Sequence, residues 1–241
     1  MPSKKRHKTT SHSRSKSSNK KKTRRSRKKR VDHQLFWPLV ILVFVIWVLY
    51  RYLFSFSVLF DELIGKALFF AFPVLIYINV TNWSKIIDTF SPTKFRRGLL
   101  VGLGVGGIFG FAAVILSMLG DSGLVVPTPY YQADYFAWEF FLAILTGFFE
   151  TFFFFSFIQL VIEDRYRSWS AWRQVSLVAL IFLLFHLPNL IINFSGTAII
   201  WQMILLFSLA YGEALFFKRE QNAYMLVLIQ AIWGMVLLLY F

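Results

Sequence analysis

Seven apolar runs, each near the roughly 20 residues that cross a hydrocarbon core, decide what this chain can fold into. Their approximate limits are 35–54, 58–79, 97–118, 135–162, 174–194, 197–217 and 222–241. In lipid every backbone N–H and C=O must find its partner within the chain, so runs of this length fold as helices. The expected fold class is all-α, a polytopic transmembrane helical bundle of about seven spans. Composition agrees: 57% of the 241 residues are hydrophobic and 29 are Phe, more apolar surface than a soluble core of this size requires. The absence of cysteine excludes disulfides and Cys-based zinc or thiol chemistry.

The formal net charge of +14 belongs to one end of the chain. Residues 1–30 hold 15 Lys and Arg and no acid, whereas the other 211 residues hold 11 basic and 12 acidic side chains. A segment so polar cannot bury enough surface to offset its chain entropy. Residues 1–31 are therefore expected to be a disordered basic cytoplasmic tail, and 35–241 a membrane-embedded helical domain. The apolar run that follows the tail is too long for a signal-peptide core, so no cleavage is expected. Residues 4–30 suit anionic lipid headgroups. Nucleic acid is the other polyanion such a tail could meet. With no aromatics interleaved for base stacking, that contact would not be sequence-specific.

The loops carry an orientation. Lys85, Lys94, Arg96 and Arg97 follow the second run; Arg165, Arg167 and Arg173 follow the fourth; Lys218 and Arg219 follow the sixth. The opposite loops hold Arg51 alone, then Asp121 and Asp134 without a base, then no charge. This alternation puts the N-terminus in the cytoplasm and the C-terminus outside. With no C-terminal lipidation Cys or eukaryotic sorting motif, the expected location is the bacterial plasma membrane. Asp61, Glu62 and Lys66 lie near the start of the second run, which reads as partly interfacial, with Glu62 and Lys66 spaced to pair. In the third run Gly102-x-Gly104-x-x-Gly107 imitates a dinucleotide fingerprint, but no strand precedes it. Gly102, Gly106 and Gly110 instead make one smooth face for close helix packing.

Two ionisable residues lie at membrane depth. Glu150 sits in an apolar stretch, Gly147 to Phe155, with no basic residue in it. Inserting such a charge costs about 2.5–3.5 kcal/mol. His186 lies within Leu180 to Pro188. On an α-helix Glu139, Thr146 and Glu150 share one face, as do His186, Asn189 and Asn193. Pro188 is expected to kink or end its helix locally. Gln230 sits within the last run, and Glu213 is close enough to Lys218 to reach the headgroups. A carboxylate and an imidazole in a dry site can activate a water. The plainer reading is a carboxyl and a neutral imidazole hydrogen-bonded between helices. No cofactor is expected. Zinc is poorly served, since Glu150 and His186 are two ligands where a catalytic site takes three.

Residues 150–159, then Phe182-x-x-x-His186, then the last helix around Gln230 resemble the CPBP family of CAAX-processing and bacteriocin-processing intramembrane proteases. The resemblance covers roughly 135–241. It implies a helical membrane fold that hydrolyses a peptide bond of a membrane-associated peptide or protein, with Glu150 activating water. His186 would orient groups or stabilise charge. The family's first motif reads Glu-Glu-x-x-x-Arg and then usually Gly; here the positions are Glu150, Thr151, Phe155 and Ser156. Phe182 and His186 match the second motif. The third, His-x-x-x-Asn or Asp, falls on Gln230 and Gly234. Asn189 or Gln230 would then supply an oxyanion donor, with Thr151 and Glu139 as supporting polar groups. The altered positions leave a second expectation, a catalytically degenerate member acting as an immunity factor, scaffold or binding protein. A third is a small proton-coupled transporter with Glu150 and His186 as its relay, although no repeat of the helical halves is visible.

Overall fold

A computed structural model describes residues 33–54, 56–120 and 133–240, in a compact unit that begins after residue 30. The basic tail and the loop that contains Asp121 lie outside the described residues, as does the side chain of Asn193. Among the described residues the chain is helical and contains no strand. We number the helices α1 (Phe36–Leu53), α2 (Val58–Thr81), α3 (Phe95–Gly120), α4 (Ala133–Glu150 and onward to Arg165), α5 (Ala171–Asn193), α6 (Thr197–Glu220) and α7 (Ala223–Tyr240). Two short 3-10 turns, Ser84–Phe90 and Pro92–Lys94, join α2 to α3.

Among the described residues six helical stretches are long and apolar enough to cross a membrane, ending with Ile199–Glu220, and α7 follows as a further apolar helix. The outside of the bundle is itself apolar: Ile108 and Phe111 on α3, Leu53 on α1 and Trp201 on α6 are all largely exposed. That exterior is compatible with a multi-pass membrane protein.

Burial follows helical spacing. On α1, Phe36, Val40, Val43, Trp47 and Tyr50 are buried at steps of four and three, and the residues between them are half-buried or exposed. The second half of α4 is different. Every residue from Phe149 to Ile162 is buried, so this helix is enclosed by the others and has no outward face. Its Phe153 and Phe154 rings pack against Phe70 of α2 and Phe185 of α5, forming an aromatic centre.

Small residues let the helices approach. A Cβ on Gly102 would meet the Met225 carbonyl oxygen at 2.8 Å, and one on Gly106 would meet Ile232 at 2.7 Å, so α3 rests on α7 through its glycines. Gly104 and Gly107 face open space instead. The apparent dinucleotide motif thus lies inside a helix. On α4, a Cβ on Gly147 would meet the Val227 carbonyl oxygen at 2.7 Å, which draws α7 against α4 one turn before Glu150. Pro188 is accommodated within α5, which continues to Asn193 instead of ending. Gly196, at φ +59°, makes the turn into α6 in a conformation that other residues adopt only under strain.

Candidate functional site

Three wide turns shape the centre of the bundle. Glu150 closes the first part of α4, and Thr151–Gln159 is wound as a π-helix. Lys66 on α2 lies between two further π-helical turns, Asp61–Gly65 and Ala67–Ala71. A π turn closes i→i+5 bonds, which widens the helix and re-aims its side chains; such turns recur at functional sites.

The residues beside these turns meet. Lys66 Nζ lies 2.8 Å from Glu150 Oε1 and 2.6 Å from Glu62 Oε2. Glu62 also accepts the Thr146 hydroxyl of α4. Lys66 and Glu150 are each only 7% exposed. Glu150 thus has a basic partner, which its own apolar stretch does not supply and another helix does, and Lys66 points into the bundle. The Glu62–Lys66 pairing is present as the spacing implied. Asp61, by contrast, stays at the helix end, where it accepts from Tyr50 at 2.5 Å and pairs with Arg51 at 2.8 Å.

His186 Nε2 lies 3.6 Å from Glu150 Oε1. Its ring is held from both sides of the motif turn. Nδ1 donates to the Phe182 carbonyl at 2.9 Å, and the ring stacks on Phe182 with centroids 4.1 Å apart. Phe182 thus fixes both the orientation and the tautomer of the imidazole. In the neutral ring Nε2 is then an acceptor. Nε2 and the Glu150 carboxylate are then two neighbouring acceptors that one donating water can satisfy together, an arrangement suited to holding a nucleophilic water.

A second polar arm leaves Thr151. Its hydroxyl donates to Gln230 Oε1 at 3.2 Å, and Gln230 Nε2 donates to Glu213 Oε2 at 3.2 Å. Glu213 is fully buried and does not reach toward the headgroups as its spacing from Lys218 suggested. Lys218 instead bonds Gln174 at 2.5 Å and lies 3.6 Å from Glu163.

The structure therefore brings together Glu150, His186, Thr151 and Gln230 among the residues singled out by sequence, and adds Lys66, Glu62 and Glu213. Asn189 is half-buried three residues beyond His186 on α5. Glu139 lies near the other end of α4 and makes no hydrogen bond or ion pair among the described residues. Phe155, at the motif's Arg position, is fully buried between Phe182 and Phe217. Ser156 accepts from Thr89 at 2.9 Å, and a Cβ on Gly234 would lie 3.8 Å from Ala143 of α4. Among the described residues no three His, Asp or Glu side chains converge as a metal site. An ammonium already sits on Glu150 Oε1, so a metal reading gains no third ligand there. The signals for the missed residues were present in the sequence: a lysine inside the apolar stretch Leu63–Phe70, and an acid inside Ala210–Phe217.

No family model, curated protein or solved structure matches this chain.

Proposed function

We propose that this chain is a multi-pass membrane protein of the bacterial plasma membrane, and an intramembrane endopeptidase of the CPBP type. Its substrate would be a CAAX-like, bacteriocin-like or other membrane-associated peptide. The observation that carries the reading is the 3.6 Å approach of Glu150 to His186, with the imidazole held by Phe182 in the same motif turn. Lys66 and His186 both approach Oε1, which leaves Oε2 of Glu150 as the oxygen a water would use. Glu150 takes a proton from water as the water oxygen bonds to the peptide carbonyl carbon. The C–N bond then breaks and that proton passes to the leaving amine. Lys66 keeps a fixed positive charge beside the developing negative charge. Residues 4–30 would rest on anionic headgroups at the cytoplasmic face.

A second reading has its own observation. Lys66 holds Oε1, Gln230 is already bonded on both sides, and Gly234 offers no side chain. These features favour a degenerate member that binds a membrane partner between α4, α5 and α7 without cutting it.

Comparing protein N-termini in membranes from cells that make the wild type, Glu150→Gln or no copy separates the two. The endopeptidase reading expects new termini that disappear in Glu150→Gln, which keeps shape and removes basicity. Identical termini in all three, with folded protein present, would transfer the conclusion to the binding reading, and crosslinking from the α4–α5–α7 groove would then recover a partner.

A further inference from the structure

Glu213 is an acid with no cation. It is 0% exposed, in the last third of α6 between the buried Ala210 and Ala214. Its Oε2 accepts the Gln230 amide, and its Oε1 has no hydrogen-bond partner among the described residues. No described Lys, Arg or His forms an ion pair with it; Lys218, one turn on, is bound to Gln174 and faces Glu163. An ionised carboxylate there would bury a whole charge with one oxygen unsolvated, whereas a neutral acid leaves only a hydroxyl unpaired, a far smaller cost.

We infer that Glu213 is a second, proton-bearing carboxyl of the Glu150 site, and that it positions Glu150 through Gln230 and Thr151. In the neutral acid Oε2 is the carbonyl oxygen that receives the Gln230 N–H, and Oε1 carries the proton. Because Gln230 spends its amide donor on Glu213, its carbonyl oxygen faces Thr151, and the Thr151 hydroxyl must donate to it. Thr151 is then not free to bond back to its own helix. It is also the first residue of the π-helical stretch and the neighbour of Glu150. Three helices, α6, α7 and α4, are thereby tied at the residue that follows the candidate base. The inference relies on the endopeptidase reading only for the reaction that this positioning serves; the proton and the hydrogen-bond chain stand without it.

Two measurements on the purified full-length protein test it. Infrared difference spectra between wild type and Glu213→Gln should show loss of the carbonyl stretch of a protonated carboxyl. Loss of carboxylate bands alone overturns the proton assignment. Hydrogen exchange tests the positioning. Glu213→Leu leaves the Gln230 donor unpaired, so exchange across 147–159 should rise by about tenfold or more, the effect of one buried orphan donor. Glu213→Gln keeps an oxygen for that donor and should restore protection. Equal exchange in the two variants, or a rise spread evenly over all helices, overturns the positioning role. Neither measurement needs a substrate, so failure of this inference and failure of the Glu150→Gln termini comparison are read separately.

Discussion

Lys66 is the residue on which the interior charge balance turns. It faces two carboxylates from different helices, 2.6 Å from Glu62 and 2.8 Å from Glu150. Removing one partner of a buried ion cluster strands the others, at about 3–5 kcal/mol. Lys66→Met should therefore unfold at a clearly lower temperature than wild type in the same detergent. Glu150→Gln should lose much less, because Glu62 remains to hold the ammonium. The double variant Lys66→Met with Glu150→Gln should recover part of the loss, since one stranded carboxylate has been neutralised. A Lys66→Met protein as stable as wild type would mean that the ammonium contributes nothing net. His186 differs in kind: its ring is oriented by its own helix, through Phe182, so the Glu150–His186 approach depends on how α4 and α5 pack.

At the scale of the element, the helices divide into ordinary α-helices and those with wide turns. Helical spacing held on α3, where Gly102 and Gly106 face α7 as their spacing required. It also placed Thr146 and Glu150 on one side of α4. Beyond Glu150 it cannot be extended, because a π turn shifts the angular register of every residue after it, and nothing in the composition of Thr151–Gln159 marks that shift. Glycine packing at this scale is testable. Gly147→Ala puts a methyl against the Val227 carbonyl and should destabilise the α4–α7 contact by about 1–3 kcal/mol. Gly104→Ala meets nothing within 4 Å and should be neutral or stabilising by up to about 1 kcal/mol, from helix propensity. Thermal unfolding of the two variants side by side checks the ordering, and equal losses would contradict the packing.

For the whole molecule, orientation across the bilayer is the property that the loop charges predict. The chain lacks cysteine, so single-cysteine variants report cleanly. Ser84→Cys and Ser168→Cys, in exposed turns among the basic loops, should react with an impermeant maleimide only from the cytoplasmic side. Ser195→Cys, in the turn between α5 and α6, should react only from the opposite side. Labelling of all three from one side would reject the seven-span arrangement. The chain is pinned where the described residues begin. His33 bonds Tyr77 of α2 and lies 3.0 Å from Asp164 at the end of α4, while Arg165 donates to its carbonyl at 2.6 Å. By itself the sequence determined the helical class, the approximate helix limits, the basic character of the first 30 residues and the pairing of Glu150 with His186 as the residues to examine. These follow from length, hydropathy and spacing, which are local along the chain. Only the tertiary structure decided that Lys66 neutralises Glu150, that Glu213 turns inward, and that Gln230 and Thr151 link the two acids. Those contacts join residues 17 to 84 positions apart, and they depend on wide turns and helix docking that no local pattern encodes.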